Sequence, residues 1–216
     1  MTTSTILFDV DGTLVDSNYL HVDAWQRAFD ASGVPVDAWR IHRAIGQDSE
    51  RLLNSLVGER DDDWVERASE LHSRFYREQA DRLQAFEAAG ALLRALRERG
   101  LATVLATSAP DDELQLLRDT LAADDAVTAT TSADDVDEAK PDPGIMNVAL
   151  DRVGASPEDA VMVGDSVWDM RAAGRAGIRA IGLRCGGSGA EELREAGASR
   201  VYDDPAELLR RVGEWV

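Results

Sequence analysis

The chain has 216 residues, 44% of them hydrophobic, enough for one substantial core and a smaller satellite. Forty-one acidic residues against 23 basic ones give a formal net charge of -18, which repels nucleic-acid backbones and anionic membranes and excludes both as expected partners. One cysteine, Cys185, leaves no internal disulfide and no thiolate cluster for zinc; with no signal-like N-terminus and no run near the roughly 18 apolar residues of a membrane span, a soluble cytoplasmic protein is expected.

In chain order, "TILFDV" (5–10) reads as a first strand. From about 16 to 82 no convincing strand follows; "YLHVDAWQRAFDASG" (19–33), "SERLLNSLVG" (49–58) and "DWVERASELHSRFYREQADRL" (63–83) have the apolar spacing of amphipathic helices. After them helix and strand alternate: a helix over 91–100 with a glycine stop, a strand over 102–107, and a helix over 111–122 whose acidic first turn follows Pro110. Strands over 126–131, 160–165 and 178–183 come next, then a short strand near 199–204 and a closing helix from 205. This rhythm predicts the α/β class: a doubly wound, Rossmann-like parallel sheet core with an inserted all-helical cap. Residues 1–15 and 83–216 are assigned to the core and 16–82 to the cap, with hinges near 14–18 and 82–88.

In an open parallel sheet the ligand crevice lies beyond the carboxyl ends of the strands, so polar residues directly after apolar runs are the candidates for chemistry. Asp9 and Asp11 leave the first strand with the same side-chain parity, and two carboxylates so close need a cation or a shared proton. Thr107 and Ser108 end the strand over 102–107, where hydroxyls and free N–H groups suit an anion or simply cap a helix. Asp165 follows an apolar strand and Asp169 comes four residues later, entering a helix; such carboxylates suit Mg²⁺, which takes oxygen ligands, or merely complement a helix dipole.

Lys140, in "DEAKPDPGI", is the only lysine; every other basic residue is arginine. An ammonium is a compact point charge with rotatable donors, unlike arginine's planar fork, so its retention suggests a buried contact to a phosphoryl oxygen. The lysine-poor, aspartate-rich balance is similar to that of cytoplasmic proteins from salt-accumulating halophiles, in which about 1 M salt cuts the screening length to roughly 3 Å.

In this order, D-x-D-G-T, a hydroxyl after a strand, K-P and G-D-S-x-x-x-D resemble the haloacid dehalogenase superfamily, in its phosphoglycolate phosphatase and β-phosphoglucomutase-like branch. The resemblance spans nearly the whole chain, including the helical insertion. It implies a Mg²⁺-dependent phosphatase acting on a small phosphorylated metabolite, as a monomer or homodimer. Asp9 would attack phosphorus to form an aspartyl-phosphate, and Asp11 would act as general acid and then base. Mg²⁺ would be held by the Asp9 carboxylate, the Asp11 backbone carbonyl and Asp165, with Asp169 in support. Thr107, Ser108 and Lys140 would hold the phosphoryl oxygens. The cap residues implied in substrate contact are His21, Arg43, Gly46 and Gln47.

The same residues separate this chain from relatives. Halide-displacing members generally lack the second aspartate, and Asp11 is present; phosphonoacetaldehyde hydrolases need a cap lysine, and this cap has none. His21 and Arg43 resemble positions used by β-phosphoglucomutases, so phosphoryl transfer stays as an alternative, although that branch's cap lysine is missing. A non-catalytic binding protein is a remoter alternative, since such relatives usually lose Asp9, Asp11 or Lys140. His42 and His72 are expected to be structural or solvent-facing, and Trp25, Trp39 and Trp64 to be cap core. Glu87 and Ala88 stand where many relatives have Pro-Gly at the second hinge. Phosphoglycolate and sugar phosphates are the substrates the resemblance suggests by default.

Overall fold

Residues Thr5–Phe8 are buried on both faces and form β1, the inner strand of the sheet, in the computed structural model, which describes residues 3–136 and 140–216. A strand covered on both sides needs a continuous apolar run rather than an alternating one, which is what "TILF" supplies. β1 pairs in parallel with β4 (Ala102–Ala106) on one side and β6 (Ala160–Gly164) on the other. β5 (Ala129–Thr131) lies outside β4, and β7 (Arg179–Leu183) and β8 (Ala198–Tyr202) lie outside β6, giving the parallel order β5-β4-β1-β6-β7-β8.

Helices cover both faces. Ile6 and Phe8 pack with Leu92, Leu93 and Leu96 of α5 (Ala89–Glu98), Leu117 and Leu121 of α6 (Asp111–Leu121), and Leu208 of α10 (Pro205–Arg210). Leu7 packs the other way, with Ile145 and Ala149 of α7 (Gly144–Val153), Met170 and Ala173 of α8 (Val167–Ala176), and Leu193 of α9 (Ala190–Glu195). The chain leaves β1 toward β4 and leaves β6 toward β7, so the sheet's switch point lies between β1 and β6, where a doubly wound fold opens its ligand crevice.

Between β1 and α5 the chain makes four helices: α1 (Asn18–Ala31), α2 (Ala38–Ala44), α3 (Ser49–Val57) and α4 (Asp62–Arg77). They share an apolar cluster of their own built on Trp25, Phe29, Ile41, Leu52, Leu53 and Trp64. The Asp61 side chain caps α4 by accepting from Trp64 N at 2.9 Å; Asp62 and Asp63 start the helix and Arg74 and Arg77 end it, each sign matching its end of the dipole. Trp39 is not core as expected: it lies 68% exposed on α2, a helix too short to carry apolar residues around its full girth.

Two further departures concern the hinges. The chain enters and leaves the helical insertion through a two-residue antiparallel ribbon, β2 (Val15–Asp16) with β3 (Gln84–Ala85), too short for any period to reveal in sequence. The last predicted cap helix stops at Arg77 rather than 83, and Ala80–Arg82 turn the chain back into that ribbon. Ala88, at the start of α5, has φ +63°, a left-handed conformation that costs an L-residue roughly 1 kcal/mol and that glycine takes freely. The strand expected over 126–131 begins only at Ala129, because Asp124–Ala126 form a helical turn that buries Ala126. No helix among the described residues is long and apolar enough to cross a membrane.

Candidate active site

Three strands end in acid or hydroxyl at one edge of the sheet: Asp9 after β1, Thr107 after β4 and Asp165 after β6. Asp9 N donates to Val163 O of β6 at 2.9 Å, so its backbone is still tied to the sheet when the chain turns away. The turn runs through Gly12, at φ +71°, where a β-carbon would collide with the side chains of Asn18 and Asp165. Gly186 meets the same acid from the other side; a β-carbon there would overlap the Asp165 carboxylate.

Lys140, between β5 and α7, is completely buried with its ammonium between two carboxylates, 2.5 Å from Asp9 Oδ1 and 2.8 Å from Asp169 Oδ1. Burial opposes its charge, but Asp169 and Asp9 hold its pKa above the ordinary lysine value. Among the described residues Asp9 takes a hydrogen bond from the ammonium, whereas Asp169 Oδ1 pairs with it by charge without one. Asp169 also closes a capping box on α8, its Oδ2 accepting from Ser166 Oγ at 2.6 Å and Ser166 N at 3.1 Å.

Carboxylate oxygens of Asp9, Asp165 and Asp169 lie within 4.8 Å of one another, all buried. Among the described residues Lys140 is the one cation paired with this trio, and the crowding of negative charge shifts the carboxyl pKa values. Burial, against Lys140 and reinforced by Asp169 and Asp11, pushes Asp9 up to about 7. Burial with Asp169 and Asp9 raises Asp165 well above the usual carboxylate range, even though Asn18 Nδ2 donates to it at 2.8 Å and Thr13 Oγ1 at 3.1 Å. A buried cluster of hard oxygen donors with surplus negative charge is what a divalent cation neutralises, so these residues fit Mg²⁺.

Asp11 faces elsewhere. Its Oδ1 accepts from Ser17 Oγ at 2.5 Å and lies 3.1 Å from His21 Nε2; burial raises its pKa, but His21 and Ser17 outweigh that and hold it below the ordinary 3.8. His21 is the reciprocal case: burial lowers it, while Asp11 lifts it above 6.5. Its ring stacks on Tyr76 with centroids 3.9 Å apart, and its Nδ1 shares a hydrogen bond of 3.1 Å with His72 Nε2.

Among the residues expected on the substrate side, His21, Gly46, Gln47 and Ser108 line the cavity over Asp9 and Asp11, as does Thr107. Thr107 Oγ1 accepts from Ala109 N at 3.0 Å, which leaves its proton free to donate, and Ser108 Oγ has no partner among the described residues. Arg43 lies exposed on α2 and forms a two-pronged ion pair with Glu192 of α9; it lines an adjoining pocket with Asn18, Asp165 and Ser166 rather than the cavity itself. His72, expected to be structural or solvent-facing, is buried, bonded to His21, and lines the cavity beside Trp25. His42 anchors the insertion to the core through a 3.0 Å bond to Gly186 O. Sequence reasoning missed Asn18, Ser17 and Glu113. The first two sit in the hinge, where no period marks them, and Glu113 reads as an ordinary acidic helix start until the fold buries it.

The parallel sheet, the acid cluster at its switch point and the buried lysine define a hydrolase class. A family profile described as haloacid dehalogenase-like hydrolase matches residues 3–177, and the chain belongs to that family. It is 30% identical to a phosphoglycolate phosphatase of Rhodospirillum rubrum, over 98% of this chain and 90% of that one. It is 27% identical to the pyrophosphatase PpaX of Bacillus pumilus, over 98% and 97% of the two chains. The crystal structure of a hydrolase from Pseudomonas syringae superimposes with a TM-score of 0.95 at 38% identity, covering 99% of this chain and all of that one.

Proposed function

We propose that this hydrolase is a Mg²⁺-dependent phosphatase that cleaves a small phosphate monoester through an aspartyl-phosphate on Asp9. The observation that carries the reading is the division of labour between the paired aspartates. Asp9 is held by Lys140 at 2.5 Å beside Asp165 and Asp169, whereas Asp11 is held by Ser17 and His21 on the cavity side. One carboxylate is thus kept as a nucleophile, the other as a proton carrier.

Asp9, Asp165 and the Asp11 backbone carbonyl would hold Mg²⁺, with Asp169, already engaged by Lys140 and Ser166, in support. When bound, the ion neutralises phosphoryl charge and so stabilises the transferred group. The remaining steps belong to the chain. Lys140 and the Thr107 and Ser108 hydroxyls grip the non-bridging oxygens, while Asp9 attacks phosphorus. Asp11, held ionised by His21, passes the His21 proton to the departing ester oxygen, then takes one from the water that hydrolyses the acyl phosphate. His21, within 3.1 Å of Asp11, steadies that carboxyl and supplies the neighbouring proton store.

The test is phosphate release from a panel of monoesters with Mg²⁺ and with chelator, in roughly 2 to 3 M KCl to screen the net charge. Release that needs Mg²⁺ is expected; equal release in chelator would exclude the metal role. Transfer between sugar phosphates in place of release would favour the mutase alternative.

The Asp11–His21 pair gives a pH prediction. Asp11's depressed pKa contributes stability above 3.8 that is lost as pH falls through its folded value, and His21's raised pKa contributes stability below 6.5 that is lost as pH rises through its folded value. The stability difference between wild type and His21→Gln in urea unfolding is therefore expected to peak between these two reference values and shrink above neutrality. A difference that grows with pH above neutrality would show that the pair does not carry the charges assigned to it.

A further inference from the structure

Glu113 is a buried acid of the cavity that the proposed chemistry does not use. It sits in the first turn of α6 and is only 2% exposed, whereas its neighbours Asp111 and Asp112 are solvent-facing. Its Oε1 accepts from Ser73 Oγ of α4 at 2.9 Å. Glu113 lines the same cavity as Asp11, together with Trp25, Ile45, Leu52 and Ser73. A carboxylate this deeply buried needs donors or a positive charge to satisfy it, and the protein supplies one hydroxyl.

The charges around it are as informative. Among the described residues no arginine and no lysine lines this cavity. Lys140 is committed to Asp9 and Asp169, and Arg43 is committed to Glu192 at the surface. His21, whose pKa Asp11 lifts, is paired with Asp11, and burial pulls His72 well below its usual value, which disfavours a charge on its ring. A second anionic group on the substrate, whether carboxylate or phosphate, would enter a buried space holding Glu113 and Asp11 and no free cation. Such a like-charge arrangement is strongly unfavourable where water is excluded.

We infer that the leaving alcohol carries hydroxyl or ammonium donors and no second anionic group, and that Glu113 positions it by accepting from one of those donors. The inference rests on the phosphatase reading and narrows it. Trp25, Ile45 and Leu52 supply apolar surface for the carbon skeleton, so the substrate class is the phosphate monoester of a polyol or amino alcohol. Phosphoglycolate, pyrophosphate and sugar bisphosphates fall outside it.

The experiment compares kcat/KM for glycerol phosphate, ethanolamine phosphate and phosphoglycolate with the Mg²⁺-loaded enzyme, wild type and Glu113→Gln. Glutamine keeps the volume and the bond from Ser73 but removes the charge. Both donor-bearing esters are expected to exceed phosphoglycolate by about tenfold or more, the effect of one misplaced buried charge. Glu113→Gln should close that gap mainly through KM, by raising it for the donor-bearing esters and lowering it for phosphoglycolate. The ratio between glycerol phosphate and ethanolamine phosphate tells whether the natural donor is hydroxyl or ammonium. A wild-type enzyme that prefers phosphoglycolate overturns the charge inference and leaves the phosphatase reading intact. A gap that survives in Glu113→Gln overturns the role of Glu113. No release from any ester by folded, Mg²⁺-loaded protein overturns both readings together. The wild-type ranking decides the charge inference by itself if Glu113→Gln does not fold.

Discussion

Asp9→Asn is expected to abolish Mg²⁺-dependent phosphate release, lowering kcat by about four orders of magnitude or more, while the protein stays folded. The asparagine amide is nearly isosteric with the carboxylate but cannot form the acyl phosphate. Loss of fold is not expected, because Lys140 keeps its 2.8 Å ion pair with Asp169 and the cluster loses a charge that burial already penalises. The sign of the pH effect follows from the same numbers. Asp9's folded pKa is raised from 3.8 to about 7, so in metal-free protein it costs stability progressively as pH rises through that interval. Metal-free Asp9→Asn should therefore gain on wild type between pH 4 and 8 in urea unfolding. Residual turnover within tenfold of wild type would remove Asp9 as the nucleophile.

The second large effect is expected at Lys140. Lys140→Met leaves Asp9, Asp165 and Asp169 buried without their ammonium, and removing one partner of a buried ion pair costs about 3–5 kcal/mol. Turnover should fall at least about 100-fold if, as proposed, the ammonium is also an oriented donor to the phosphoryl group. Lys140→Arg separates charge from shape. It restores a cation, but a planar fork must occupy a fully buried slot that fits a single ammonium between Asp9 and Asp169. Arginine is expected to recover part of the stability and little of the activity. Full activity in Lys140→Arg would mean that the only lysine survives in this arginine-rich chain for some reason other than phosphate geometry. Thermal unfolding with and without Mg²⁺, beside initial rates, separates the two contributions.

The histidines and tryptophans mark how far one-dimensional reading reaches. His21, His42 and His72 all lie in helices of similar composition, yet two of them form the buried row leading from Asp11 and the third fastens the insertion to Gly186. Trp25 packs in the cap cluster and also lines the cavity, whereas Trp39 stands in solvent. Arg43 shows another long-range choice: the residue type suits a phosphate, but Glu192, far away in sequence, pairs with it in the pocket beside the cavity. Nothing in local spacing encodes any of these partners.

What the sequence determined by itself is everything that depends on local period and strand ends. The run "TILF" had to be a strand buried on both faces, the alternation that follows residue 91 had to build a parallel sheet, and acids and hydroxyls directly after apolar runs had to meet at its carboxyl edge. The retained lysine was legible for the same reason, as a departure in composition that a buried charge would require. Only the tertiary structure decided which groups face each other across the crevice. It bonded Ser17 and His21 to Asp11, set Asn18 against Asp165, paired Arg43 with Glu192, and buried Glu113 beneath Ser73. Those choices are long-range: burial and Coulomb interactions act through space, and the helices that carry these residues meet only when the insertion folds back over the sheet.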